Sequence, residues 1–120
     1  MEYLIIALKL IVGLSILNVW LLRAKKPTEW RGGNASNITE EFEAYGLPTW
    51  FMFLIGVVKS VLAVLLIASI QFPGLEYPAA VGIAVLMAGA VIMHFKIGDP
   101  PKKSFPAGIF LISALLIAFL

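Results

Sequence analysis

Residues 48–71 read PTWFMFLIGVVKSVLAVLLIASIQ, an apolar run whose one charged group is Lys59. At a rise of about 1.5 Å per residue, some twenty helical residues cross the ~30 Å hydrocarbon core of a bilayer. An ammonium at that depth costs roughly 2.5–3.5 kcal/mol on insertion scales. A chain that keeps Lys59 there must shield it, deprotonate it or use it.

Three further runs flank this one: Tyr3–Leu22, which carries Lys9, then Pro78–Phe95 and Phe105–Leu120. None of the four contains Asp or Glu. The last would reach only about 24 Å as a helix; either the bilayer thins there or the chain continues beyond Leu120. Lipid offers no partner for a backbone amide, so each run satisfies its hydrogen bonds internally as a helix. The expected fold is therefore all-α: an integral membrane four-helix antiparallel bundle, one domain over residues 1–120. A composition of 61% hydrophobic residues and a mean hydropathy of +0.98 fit lipid better than water; a soluble domain of this length has too little interior for them.

The first run is read as a retained helix rather than a signal peptide. Met1-Glu2-Tyr3 carries no positive charge, no small-residue cleavage site follows, and Arg23, Lys25 and Lys26 close the run. Those three with Arg31 in the first loop, and Lys96, Lys102 and Lys103 in the third, gather the basic charge on one side. The positive-inside rule makes that side cytoplasmic and puts both termini on the outer side. Trp20, Trp30 and Trp50 fall near the same boundary, as an interfacial aromatic belt would. With its basic residues so placed, a net charge of +2 is no sign of nucleic-acid binding.

Between the first two spans, Asn37 with Glu40 three residues on resembles a capping box, and Ile38, Phe42 and Tyr45 recur on one helical face. Gly46 and Pro48 stop the pattern. A short amphipathic interfacial helix over about 37–46 is expected on the membrane surface. The sequons at Asn34 and Asn37 are read as chance matches in a cytoplasmic loop. The third span is rich in small residues, with Gly82 and Gly89 as candidate close-packing positions inside the bundle or against a second copy.

Helical rise places Lys9 and Lys59 at similar depth, within about one turn of each other, and Asn18 and His94 nearer the cytoplasmic boundary. Lys9, Asn18, Lys59 and His94 are thus the candidate ligand-binding residues, with Ser15, Ser60 and Ser113 as possible partners. The lysines could hold an anion: a headgroup phosphate, a carboxylate or the oxygen of a reduced quinone. Glu43 is the candidate counter-charge from outside the spans. His94, beside Phe95 and Lys96, reads first as an interfacial helix-end residue, and Asp99 in Gly98-Asp99-Pro100-Pro101 as a turn residue. With one His and no Cys, no zinc, haem or iron–sulfur spacing exists. No catalytic triad, phosphate loop or dinucleotide motif is present, so a self-contained enzyme, a metal site and an intrinsic cofactor are not expected.

Leu8-Lys9-Leu10-Ile11-Val12-Gly13-Leu14-Ser15, then Phe42 with Tyr45-Gly46-Leu47-Pro48, then Gly56, together resemble the DoxX-like family of small bacterial membrane proteins. Leu86-Met87-Ala88-Gly89-Ala90 with His94, Asp99 and Pro106-Ala107 complete the pattern. The resemblance implies a four-helix bundle in the bacterial inner membrane. Some relatives are subunits of quinone-linked oxidation or oxidative-stress complexes, and others assist membrane-protein assembly. Many carry a Glu in the middle of the second helix, where this chain has Lys59-Ser60. The expected function is an accessory subunit of a membrane redox system that binds a quinone, lipid or similar amphipathic ligand between helices. The alternatives are an anion or small-molecule transport unit lined by Lys9 and Lys59, and an assembly factor docking client helices.

Overall fold

The computed structural model describes residues 2–22, 32, 33, 35 and 37–120. Arg23, Lys25, Lys26, Trp30, Arg31 and the Asn34 sequon lie outside the described residues. Helix α1 spans Glu2–Leu17 and continues as a π-helical turn over Asn18–Leu22. Helix α2 covers Ile38–Tyr45, α3 Thr49–Ala68, α4 Glu76–Lys96 and α5 Phe105–Phe119. All elements among the described residues are helical. The four long helices have the length and composition of membrane spans, which makes the chain a multi-pass helical membrane protein.

The four spans form a ring in which α1 packs on α3, α3 on α4, α4 on α5 and α5 back on α1. Every neighbouring pair is antiparallel. Val12, Ala63, Leu66, Ile83, Ala114 and Ile117 fill the centre. Phe53, Val57, Val61 and Val64 recur at helical spacing on the outside of α3, where lipid is the natural partner. The molecule is 39 Å long, enough to cross the hydrocarbon core with its polar ends in the headgroups. The fourth span is longer than its apolar run alone: a 3-10 turn at Pro101–Ser104 leads directly into α5 and extends the crossing to Pro101–Phe119.

Close approach of α1 and α3 depends on Gly13, where a Cβ would fall 2.6 Å from Ile67 Cγ1 and 3.2 Å from the Ala63 carbonyl. Gly82 similarly abuts Leu62, at 2.9 Å from a built Cβ to Cδ1. Gly89 makes no such contact: nothing lies within 4 Å of its Cβ position, because it borders a cavity. The small-residue face of α4 is therefore a packing surface only over part of its length.

Helix α2 forms as its sequence dictates. The Asn37 side chain accepts the Glu40 amide at 2.8 Å, and the helix ends on Gly46 at φ 78°. Gly46 N–H then bonds Glu43 O at 3.0 Å and Leu47 N–H bonds Phe42 O at 2.9 Å, a Schellman closure. Its Ile38, Phe42 and Tyr45 face is buried with Met52 in a second apolar cluster. The helix thus plugs one end of the bundle between α3 and α4. This is the basic end, since Lys96 donates to the Tyr45 carbonyl and Lys102 and Lys103 lie in the neighbouring Pro101–Ser104 turn; Glu2 and Glu76 mark the opposite, acidic end.

Candidate functional site

The two intramembrane lysines do not meet. Lys9 lies on α1 level with the end of α3, where its Nζ donates to the Ser69 carbonyl at 3.5 Å and stands 3.8 Å from Glu76 Oε1. Lys59 lies ten positions before Ser69 on α3, about 15 Å away along the helix axis. On α1 its neighbour is Trp20, eleven positions beyond Lys9, which gives about the same separation. Counting from sequence-assigned helix ends had put the two lysines at one height. The error came from taking the two helix ends as level: the π turn that closes the first span lies beside the middle of α3, where Trp20 meets Gly56 and Lys59, and not beside its start at Thr49. The buried apolar layer of Val12, Ala63, Leu66 and Ile83 lies between them.

Lys9 faces a cavity of about 540 Å³ at the acidic end, which Glu2 and Glu76 also line. Its counter-charge comes from Glu76, at the very start of α4 and just outside the apolar run read from sequence. Lys59 faces two adjoining cavities at the basic end, of about 290 and 370 Å³. The smaller one brings Asn18, Lys59 and His94 together. Three of the four candidate residues therefore share one site, and Lys9 belongs elsewhere.

Trp20 holds this site open. The π turn rotates its indole inward, against Gly56, where any Cβ would lie 2.7 Å from Trp20 Cε3. Lys59 Nζ then sits 5.3 Å from the indole centroid, within range of a cation–π attraction of roughly 0.5–2 kcal/mol. Trp20 is thus half-buried against the bundle, whereas Trp50 is exposed at the start of α3 as a belt residue would be. Phe42 stands edge-on to Trp20 at 6.0 Å, Tyr45 lies 5.9 Å from Phe42, and the His94 ring stands edge-on to Tyr45 at 5.9 Å. This aromatic row joins Lys59 to His94 across α2.

The carboxylate that shares the cavities with Lys59 is Glu41 rather than Glu43. Glu41 lies on the inward face of α2 and accepts the Tyr45 hydroxyl at 2.7 Å, while Glu43 points outward. Its charge acts on Lys59 without a direct ion pair. The side chains of Asn18 and Lys59 make no hydrogen bond among the described residues.

His94 is 4% exposed, so it is an interior residue and not an interfacial one. Its partner is Asp99, whose side chain is 6% exposed and whose Oδ2 lies 2.8 Å from His94 Nδ1. The pairing follows from the helix ending. Gly98 at φ 75° closes a Schellman motif in which Gly98 N–H bonds Phe95 O at 3.1 Å and Asp99 N–H bonds His94 O at 3.0 Å. That turn folds Asp99 back over His94. Asp99 also accepts the Gly33 amide, at 3.0 Å to Oδ1 and 3.3 Å to Oδ2. Lys103 stands 4.0 Å from Oδ1 and bonds the Gly33 carbonyl. Burial alone pushes the Asp99 carboxyl up. The hydrogen bonds from His94 and Gly33, with the charges of Lys103 and His94, outweigh it and hold the group below the usual carboxylate range. Asp99 is therefore the anchor of the basic end, which its reading as a turn residue had missed.

A carboxylate only accepts hydrogen bonds, so His94 donates to Asp99 from a protonated Nδ1. Nε2 makes no hydrogen bond among the described residues, and the ring lines the cavity. The result is a largely apolar chamber with five polar residues in its wall, Asn18 from the π turn, Glu41 from α2, Lys59 from α3, His94 from α4 and Lys103 from the turn before α5. No cluster of three or more His, Asp or Glu able to hold a metal occurs among the described residues.

A helical membrane protein with an interior polar site at one end is the class that fold and site define. The sequence profile of the DoxX-like family matches residues 33–116, most of the chain, and the protein belongs to that family. The matched segment contains Lys59, His94 and Asp99, while Lys9, Asn18 and Trp20 precede it. The chain matches no curated protein and no solved structure.

Proposed function

We propose that the protein holds a quinone, lipid or similar amphipathic molecule in the chamber beneath Trp20, as an accessory subunit of a membrane redox system. One observation carries this reading. Asn18, Lys59 and His94 line one chamber together with Glu41 and Lys103, its remaining walls being apolar, and the side chains of Asn18 and Lys59 make no hydrogen bond among the described residues. Unpartnered polar groups in a low-dielectric interior are costly, and an amphipathic guest completes them. Its polar head would lie among Asn18, Lys59 and His94, and its apolar body along Phe51, Ile55 and Leu86 of the larger chamber. The combined space suits a ring-sized head, given that ligand pockets span roughly 300–1,000 Å³.

The redox association rests on family kinship, and the bacterial inner membrane is the location that goes with it. Lys96, Lys102 and Lys103 at the basic end support a cytoplasmic placement of that end, with both termini on the outer side. A transport path along a lysine pair draws no support from geometry, since an apolar layer separates Lys9 from Lys59. Docking of client helices by α4 is limited to the part of its face not already packed on α3 and α5. Native mass spectrometry of the detergent-purified protein tests the proposal. A co-purified quinone or lipid, lost in Lys59→Leu, is the expected result; a ligand-free protein that also fails to take up added quinone or lipid would contradict it.

A further inference from the structure

The larger cavity beside Lys59 opens sideways. Gly82 abuts Leu62, so α3 and α4 touch on the acidic side of the bundle. Further along α4, Gly89 has nothing within 4 Å of its Cβ position and borders the cavity, so the two helices have parted there. Val85 lines the same cavity and is 65% exposed. It stands about 14 Å along α4 from Glu76, at the depth of the hydrocarbon. The opening therefore meets acyl chains rather than water. The basic end is closed by α2, whose Ile38, Phe42 and Tyr45 are buried there, with Lys96 donating to the Tyr45 carbonyl at 3.2 Å. A guest reaches Lys59 along the bilayer.

The charged groups of the adjoining smaller cavity are not equally engaged. Glu41 accepts the Tyr45 hydroxyl at 2.7 Å. Lys103 bonds the Gly33 carbonyl and stands 4.0 Å from Asp99 Oδ1, and His94 is joined to Asp99 through Nδ1. The Lys59 ammonium has the indole face at 5.3 Å, Glu41 across the cavity and no hydrogen bond among the described residues. An ammonium only donates, so a guest must bring accepting oxygens. A negatively charged acceptor makes a hydrogen bond roughly twice as strong as a neutral one. The cavity wall holds two ammoniums, Lys59 and Lys103, against one carboxylate, Glu41, which leaves room for one negative charge.

We infer that the chamber takes a single-chain anionic amphiphile, a long-chain carboxylate, which enters between α3 and α4 and sets its head on Lys59 and Asn18. The inference rests on the ligand-binding reading above and gives the guest a charge and a route. The two carboxylate oxygens match the two side chains that lack hydrogen bonds. The head occupies the smaller cavity, and the larger one, at about 370 Å³ near the lower end of ligand pockets, suits one chain rather than two. Glu41 faces the same head and opposes it, which sets the sign of its own substitution. Binding involves hydrogen bonds and an ion pair, with no covalent bond made or broken.

The test is a native mass spectrometric titration of the detergent-purified protein at about pH 8.5, where the acid is ionised. The probes are dodecanoate and, separately, 1-dodecanol, which has the same chain and no charge. Wild type is expected to bind dodecanoate about tenfold more tightly. Lys59→Gln is expected to bring the two to within about twofold, and Lys59→Met serves if that variant does not fold. Glu41→Gln is expected to raise the ratio above that of wild type. Gly89→Leu, which fills the opening between the helices, is expected to abolish binding of both. Equal binding of acid and alcohol by wild type, an unchanged ratio in a folded Lys59 variant, or a lowered ratio in folded Glu41→Gln overturns the charge preference and leaves the chamber as a binding site. Undiminished binding in folded Gly89→Leu overturns the lateral route. Binding of neither probe while decyl-benzoquinone still binds overturns the inference but not the ligand-binding reading; binding of none of the three overturns both.

Discussion

Lys9 and Lys59 are the same residue in similar apolar company, and they serve opposite ends. Lys9 is buried beside a carboxylate and a backbone carbonyl at the acidic end. Lys59 lies beside an indole face, with a carboxylate sharing its cavities but no hydrogen bond of its own among the described residues. A satisfied ammonium ties helices together, whereas an unsatisfied one has capacity left for a guest. The contrast teaches that depth in the membrane is a weaker guide to function than completeness of the hydrogen-bond shell.

The sharpest way to break the comparison is to remove the partner of Lys9. Glu76→Leu leaves a nearly buried ammonium with only the Ser69 carbonyl, and partner removal of this kind is costly. Since Glu76 is itself about one-third exposed, at 31%, a loss of about 2 kcal/mol is expected, read as a lowered Tm in detergent. Lys59→Leu should do the reverse, leaving Tm unchanged or raised, because it removes an expensive charge that only an indole face and the more distant Glu41 offset. Equal destabilisation by both variants would erase the distinction.

A second perturbation addresses the inner site alone. Gly56→Val forces a side chain into the space of the Trp20 indole, and overpacking of this type costs about 1–3 kcal/mol. Loss of quinone or lipid binding should accompany it, while the Lys9–Glu76 contact at the far end is untouched. Retained binding would mean that Trp20 does not shape the chamber.

Acid should discriminate the ends as well. The Asp99 carboxyl is held below its unfolded value, so its contribution to stability is fully present above the unfolded carboxylate pKa of about 4 and is lost as pH falls through the lower folded value. Stability of the wild type is therefore expected to fall in that acidic window, with a shallower fall in Asp99→Asn. Identical acid profiles would remove Asp99 from its anchoring role. The smallest effects belong to the glycines of α4. Gly82→Ala meets only the flexible end of Leu62 and should cost under about 1 kcal/mol, whereas Gly89→Ala has open space and should gain about 0.5–1 kcal/mol from helix propensity.

Hydropathy alone made the spans legible, because lipid leaves the backbone no alternative to helix. The ends of α2 were legible too: Asn37 and Gly46 have the side chain and the backbone freedom that those caps demand. The site was only half legible. Asn18, Lys59 and His94 stand out as polar groups in apolar runs, yet their grouping required the π turn, which no local pattern announced. Glu76 was hidden by starting the third span at Pro78, two residues after α4 begins. Asp99 carried a signal that went unused: a His four residues before a Gly, with the Asp next and two prolines after it, is a Schellman closure that folds the acid onto the imidazole. Glu41 against Glu43 was a matter of which face of α2 points inward, and the Phe42–Tyr45 stripe flanks the former.

The central claim is that the inner lysine, and not the outer one, belongs to a ligand site. Native mass spectrometry with added dodecanoate tests it on two variants, Lys59→Leu and the paired replacement of Lys9 and Glu76 by Leu, which removes both charges together. The bound mass should persist in the double variant and vanish in Lys59→Leu. Persistence in Lys59→Leu with loss in the double variant would contradict the account and move the site to the acidic end.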